Sequence, residues 1–528
     1  MKIGFLSRAL AGSLCMLSII GQSQISPQLD PAFGVDGVVL SDFGWQENWR
    51  DVFVQPSDQF ILAAGTALTP AFAGQLTVAR YTPEGDPDPA FNAGAAEGPG
   101  YYTITSFTES YAEQILLKSD GKIIIVGSVA DPNYVFSMFI LQLNPDGTPD
   151  LDFGTNGQVV LELGEGSEYA HSAARQTDGK IVISGAKEDA NFYNAPVVVR
   201  VNENGTLDSA FGSDGLTMLE AVFFDNELNA SVVLPNGNIA VAGHFDRGLN
   251  AGGGTDFDIL LFQLTPDGVL NEAFGDGGIT LVAPSGLNID DAFGLASDSE
   301  GRLLVCGWMT LGDFSTDGVL LRFLPNGSLD TSFSSNGWLS VDSGGVDQIM
   351  DVLVQADNSI LVCGLQTGDM DMEFMIARVL DNGTLDVSFN NTGVSSILVG
   401  QGMNDVSAFD IQADGEVVLA GKALGNGNND FALARFGTGV PDFVNVNGRL
   451  EELLVYPVPV NSGGILCVKA PQWDTSTYHI TDSAGRIVFS GDSYSDFFQI
   501  NTSLFSSGIY TLTIANGDKA QAASFVVE

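Results

Sequence analysis

The sequence predicts an all-β protein: a seven-bladed β-propeller of four-stranded blades, followed by a small C-terminal β-sandwich. Two landmarks that repeat in step carry this prediction. A D-x-x-F motif, with Asn271 for Asp in one copy, sets Phe33, Phe91, Phe153, Phe211, Phe274, Phe333 and Phe389 at intervals of 58, 62, 58, 63, 59 and 56 residues. Between them, a short apolar run ends in glycine at Gly65, Gly127, Gly185, Gly243, Gly307, Gly364 and Gly421. Equal units at this period must bury equal faces against one another, and closing them into a ring leaves only short sheet edges.

The sixth copy shows the pattern within a unit. Gly337–Val341, Asp351–Gln355, Ile360–Gly364 and Phe374–Val379 read as short strands rich in Val, Ile, Leu and Phe. The second and third strands are joined by tight turns such as Asp120-Gly121, Asp178-Gly179 and Asn236-Gly237, whose glycines supply positive φ. The fourth strand returns through Pro145-Asp146-Gly147, Pro266-Asp267-Gly268 or Pro325-Asn326-Gly327. The position before each repeat glycine holds Ala64, Val126, Ser184, Ala242, Cys306, Cys363 or Ala420. That column is read as buried and small, so Cys306 and Cys363 are expected as buried free thiols.

A second pairing recurs eight residues apart: Arg80 with Asp88, Arg200 with Asp208, Arg322 with Asp330 and Arg378 with Asp386. It predicts a bridge from the fourth strand to the D-x-x-F segment. Arg435 has no downstream Asp, and Asp30 has no upstream Arg. A closed ring would bring these two orphans together. The stretch D-x-x-F-G-x-x-G lacks the dense carboxylate spacing of a calcium loop, so a structural role is expected for it. No metal or other cofactor is read from the sequence, and calcium finds no support in it.

These residues resemble the delta-60 repeat, a propeller-like family of unknown function common in exported bacterial proteins. The resemblance covers about residues 25–437 and rests on D-G-K-I-x-x-x-G followed by L-D-x-x-F-G-x-x-G. Asn92, Ser334 and Asn390 replace the glycine after Phe in three copies. The family implies a fold and no reaction.

At the N-terminus, Lys2 and Arg8 precede an apolar stretch, Ala9 to Ile20, too short to span a bilayer, and Gly21 and Ser23 suit cleavage before Gln24. The expected organisation is a signal peptide at 1–23, a propeller at 24–437, a linker at 438–452 and a sandwich at 453–528. The last segment carries Tyr456-Pro457-Val458-Pro459, then strands at Tyr478–Asp482, Ile509–Ile514 and Ser524–Val527. It resembles the type A C-terminal sorting domain of the type IX secretion system of Bacteroidetes, with Val458 where that family usually has Asn. The resemblance implies the type IX machinery as a partner, export across the outer membrane, and release or attachment at the cell surface. No stretch of the mature chain reads as a membrane span.

Formal charge is −45, from 65 acidic and 20 basic residues. Such a surface repels phosphate backbones, so nucleic acid is excluded as a partner. The long, dissimilar connections, Ala95–Ala112, Gly185–Pro196 and Gly243–Asp258 among them, fall on one face of the ring. Variable loops on a rigid frame are where binding sits. Ligand-binding candidates there are Trp45, Trp49, Tyr101, Tyr102, His171, His244 and Trp308. No catalytic signature of the common hydrolase, metalloprotease or phosphate-binding kinds is present. The expected function is non-catalytic binding or adhesion to an extracellular glycan or protein. A polysaccharide hydrolase or lyase using acidic residues on that face, and a structural surface-layer component, remain as alternatives.

Overall fold

In the computed structural model, residues 28–437 and 454–527 are described. Within those spans, short stretches at 44–45, 95–98, 190–191, 220–225, 250–254, 287–288, 312–314, 344, 356, 368–370, 426, 457–464, 470–475, 483–485, 494–496 and 517–518 fall outside the description. The signal peptide, its cleavage site and the linker lie outside the described residues, as does Trp45.

Each unit folds as an antiparallel sheet of four strands. Blade 1 is Gln46–Val54, Ile61–Leu68, Gly74–Tyr81 and Tyr101–Thr103; blade 2 is Glu109–Leu117, Ile123–Ala130, Phe136–Leu143 and Gln158–Val160. Blade 3 is Glu168–Arg175, Ile181–Glu188, Asn194–Val201 and Leu216–Met218; blade 4 is Asn226–Val233, Ile239–Leu249, Thr255–Leu264 and Ile279–Val282. Blade 5 is Asp290–Ser297, Leu303–Thr310, Thr316–Phe323 and Trp338–Val341; blade 6 is Asp347–Val354, Ile360–Thr367, Met372–Val379 and Val394–Ile397. The first strands of successive blades touch one another all round the ring, so they form its inner wall.

Blade 7 takes three strands from the end of the ring, Gln401–Ile411, Val417–Leu424 and Asn429–Gly437. Its outer strand, Val38–Ser41, comes from the beginning, and Val38 pairs with Ala434. Asp30 N–H donates to the Arg435 carbonyl at 2.9 Å, as Asp88 does to Arg80 at 2.9 Å and Asp330 to Arg322 at 2.8 Å. Arg435 Nε donates to the Asp30 carboxylate at 2.9 Å. The two orphans of the sequence thus meet in the same arrangement as the paired copies.

The repeat columns have a common physical cause. Each D-x-x-F phenylalanine is buried, Phe33, Phe211 and Phe333 completely. It lies under the turn glycine of the next blade, where a Cβ on Gly147 would sit 2.7 Å from the Phe91 ring and one on Gly268 2.7 Å from Phe211. The paired arginine stacks over the same ring, Arg200 at 4.7 Å from the Phe211 centroid and Arg322 at 4.6 Å from Phe333. Arginine then crosses to the next blade: Arg80 Nη1 donates to the Pro145 carbonyl at 2.5 Å and Arg435 Nη1 to that of Pro83 at 2.5 Å. The residue after Phe keeps left-handed φ in every copy, including Asn92 at 49°, Ser334 at 47° and Asn390 at 51°. Asparagine tolerates that region, which explains two of the three departures from glycine.

The apolar-run glycine answers to a different neighbour. Every inner strand carries a β-bulge: the ladder skips Arg50, Glu113, His171, Asn229, Phe293, Met350 and Ser407. The bulge brings the carbonyl two residues before it close to the second strand. A Cβ on Gly243 would lie 1.9 Å from the Glu227 oxygen, and one on Gly307 1.8 Å from that of Asp291. Cys306 and Cys363, one position earlier, are fully buried free thiols.

Two sheets form the C-terminal sandwich. One holds Leu454–Tyr456, Ile465–Lys469 and Phe497–Asn501; the other holds Ile487–Ser493, Ser476–Asp482, Gly508–Asn516 and Lys519–Val527. Leu466, Val468, Ile480, Ile500, Leu512 and Ile514 fill the space between them. Among the described residues, no helix is long and apolar enough to cross a membrane.

Gly243→Ala should destabilise the ring by about 3 kcal/mol or more, because backbone on both sides of the contact must move. Gly94→Ala, with nothing within 4 Å of its Cβ position, should change stability by less than about 0.5 kcal/mol. Urea unfolding of the two variants checks the contrast.

Candidate functional site at the channel wall

The bulges decide which side chains face the bore. The bulged residue is extra to the ladder and breaks the inward–outward alternation of its strand. In all seven blades it is part-exposed or exposed, between neighbours that are mostly buried. The sequence writes a different residue at each of these positions, in a frame that otherwise repeats.

Ionisable side chains at and beside the bulges pair in a network. Arg50 Nε donates to Glu113 Oε2 at 2.9 Å, and the Arg50 side chain keeps 42% exposure because it stands in the bore. His171 Nε2 lies 3.8 Å from Glu227 Oε2. His244 Nδ1 lies 2.9 Å from Asp291 Oδ1, and its ring stacks on Phe257 at 4.6 Å. Asn229 donates to the Ala292 carbonyl at 2.9 Å, and Lys422 lies 3.1 Å from Asp405. Burial pulls the His171 pKa down against the pull of Glu227, with Arg50 and His244 adding to the fall. His171 is therefore a neutral imidazole at neutral pH, able to accept or donate a proton or a hydrogen bond.

Behind the bulges, carboxylates stitch blade to blade. Asp51 accepts from Ile115 N–H at 2.7 Å and from Gln114 at 2.8 Å; Asp410 accepts from Val54 N–H at 2.8 Å. Asp351 accepts from Phe409 N–H at 3.3 Å. These bonds occupy N–H groups that the inner edge would otherwise leave bare. Burial, with repulsion from Asp410, pushes Asp51 up to about 7, and burial, with Asp51 adding, pushes Asp351 up to about 7.

The candidates from the sequence scatter over three environments. His171 and His244 belong to the network, in adjacent blades and within electrostatic reach of each other. Trp308 is half-buried on the second strand of blade 5, opposite Asp291, in the column that holds His244 in blade 4. Trp49 is not a surface residue: it is fully buried and stacks on Phe431 at 3.6 Å, closing the seam between blades 7 and 1. Tyr101 and Tyr102 lie on the outermost strand of blade 1, not in a long connecting loop. Tyr101 packs edge-on against Phe43 at 4.7 Å and lines a rim cleft of about 710 Å³ with Asp42 and Tyr81.

The long connections are also shorter than their composition suggests. Strands continue to Glu188 and Leu249 and resume at Asn194 and Thr255, because polar residues there still pair edge to edge. Arg50, Glu113 and Glu227 were not singled out by sequence. They lie in two inner-strand columns without shared chemistry, the bulged one and the one two residues before it.

The buried acids set a pH dependence. The folded chain holds protons on Asp51, Asp351 and Asp290, each pushed up to about 7 mainly by burial. An unfolded Asp releases its proton near about 3.9. Between these values the native state binds more protons, so stability falls as pH rises. His171, held low, acts in the opposite sense, one group against three. Urea midpoints should therefore decline from about pH 5 to about pH 8; a rise across that window would contradict the assignment.

The family models agree with the fold. A family model described as a domain of unknown function (DUF5122) beta-propeller matches residues 118–153, 176–211, 299–333 and 412–438. A secretion system C-terminal sorting domain matches residues 454–528. None of the curated proteins matches the chain. Among solved structures, it is similar to a PL25 ulvan lyase bound to a glucuronate–rhamnose sulfate repeat, at 12% identity and TM-score 0.44, over 73% of this chain and 96% of that one. The polysaccharide lyase Uly1 is similar at 12% identity and TM-score 0.41, over 79% and 98%. PorZ, a surface component of the type IX system of Porphyromonas gingivalis, is similar at 13% identity and TM-score 0.23, over 91% and 81%. Four stretches of the chain match the DUF5122 beta-propeller family, and residues 454–528 match a secretion system C-terminal sorting domain of the type IX kind, which marks the protein as one exported across the outer membrane to the cell surface or beyond.

Proposed function

We propose that the ring is a non-catalytic binding or adhesion module for an extracellular glycan or protein, which it holds at the channel wall. In this reading residues 24–437 carry the binding, 438–452 link, and 453–528 engage the type IX machinery. The supporting observation is the bulge column: seven repeated positions, part-exposed at the bore, with seven different side chains. A frame that repeats for stability and varies at part-exposed inner-strand positions has the form of a recognition surface. Arg50, Glu113, His171 and Glu227 offer paired donors and acceptors, and Trp308 offers a part-exposed ring one rung away. The pattern suits hydroxyl- and carboxylate-bearing ligands such as acidic sugars or peptide side chains.

One observation favours a second reading, a polysaccharide hydrolase or lyase. The network holds a base kept neutral, His171, in a ring that also keeps Asp51 and Asp351 up near 7. A panel of polysaccharides and proteins incubated with the full mature chain separates the two. Retention without new reducing ends or cleaved peptides supports binding, and Arg50→Ala and His171→Ala should then each weaken retention by about tenfold or more. Product release that His171→Ala abolishes would overturn the binding reading in favour of the enzyme.

A further inference from the structure

The seam where the ring closes carries a cluster that the channel does not use. Asp42 follows the N-terminal outer strand of blade 7, Glu47 is the second residue of the inner strand of blade 1, and Asp430 lies on the third strand of blade 7. One carboxylate oxygen from each lies within 4.8 Å of the others, and Glu47 and Asp430 are buried, at 2% and 4% exposure.

The same columns in other blades hold acids that accept from serine. In blade 5, Asp290 accepts from the Ser285 hydroxyl at 2.8 Å; in blade 6, Asp347 accepts from Ser343 N–H at 2.7 Å and from its hydroxyl. Asp317, in the column of Asp430, accepts from the Ser340 hydroxyl at 2.6 Å. At the closing seam Asp42 brings a third carboxylate beside these two columns. Asp430 Oδ1 is buried with no hydrogen-bond partner. Burial, then the charge of Asp42, pushes Asp430 upward in pKa. A buried carboxylate oxygen without a donor, facing two more carboxylates, is a position for a cation.

We propose that Asp42, Glu47 and Asp430 bind a hard divalent cation of the calcium class, which clasps the N-terminal strand to blades 1 and 7. A cation with oxygen bonds of about 2.3–2.6 Å spans a triad of this spacing. Asp42 is exposed and borders the rim cleft, which gives entry to the ion and room for waters to complete its shell. The site is separate from the repeat motif, which offers no calcium loop.

The test uses the full mature chain, stripped with chelator and kept in about 0.15 M salt to screen the acidic surface. Calcium alone should bind with one-site stoichiometry by calorimetry and raise the unfolding temperature. Asp430→Asn should lose that rise, while its metal-free form unfolds at or above the wild-type temperature, because a buried repulsion is gone. If Asp430→Asn does not fold, Asp42→Asn at the exposed corner should weaken calcium binding by at least tenfold. Weak multi-site binding unchanged by either substitution, or a wild-type unfolding temperature indifferent to calcium, would overturn the site. An equal response to magnesium would overturn the calcium-class assignment.

Discussion

The structure depends on one clamp, complete at Arg80, Arg200, Arg322 and Arg435: an arginine on the third strand of a blade, the aspartate of the following D-x-x-F segment, and the phenylalanine beneath them. The arginine does three things at once. It pairs with the aspartate, covers the buried ring, and donates to a carbonyl on the next blade's turn. Blade is tied to outer strand, and outer strand to neighbour, by a single side chain. A buried ion pair seldom stabilises much by itself, since desolvation offsets the attraction. Here its geometry also fixes where the chain may turn. Lys122 and Gln142 share Asp150 in blade 2, so the same carboxylate can be satisfied by other donors where arginine is absent. At the seam the clamp joins residues 405 positions apart, and the two ends of the ring become one blade.

The bulge does for the inner wall what the clamp does for the outer. It turns one residue per blade toward the bore, and it forces glycine on the strand behind. Constraint and freedom thereby separate into different columns. The glycine, phenylalanine and small-residue columns cannot change without steric cost. The bulged column can change freely, and it holds a cation, an acid, an imidazole, an amide, an aromatic ring, a thioether and a hydroxyl.

Much of the frame was legible in the sequence because its causes are local or periodic. The turns, the buried phenylalanines, the Cys306 and Cys363 column and the arginine–aspartate spacing all repeat at fixed intervals, and repetition exposes them. The channel wall was less legible. A bulge adds one residue and resets the alternation of its strand, so counting could not tell that Arg50 faces the bore while Trp49, beside it, is buried. His171 and His244 looked unrelated because they lie in different repeats; adjacency of inner strands brings them into one network. The closing-seam acids were hidden for a similar reason, since Asp42 and Asp430 meet only once the ring is shut.

A double-mutant cycle between Asp30 and Arg435, read by urea unfolding of the full mature chain, tests ring closure most directly. The cycle between Asp208 and Arg200, wholly within the chain's interior, serves as the internal standard. Closure predicts coupling above about 1 kcal/mol for Asp30→Ala and Arg435→Ala, comparable with the standard. Additive effects at Asp30 and Arg435, beside clear coupling at Asp208 and Arg200, would contradict a ring held shut by its own N-terminal strand.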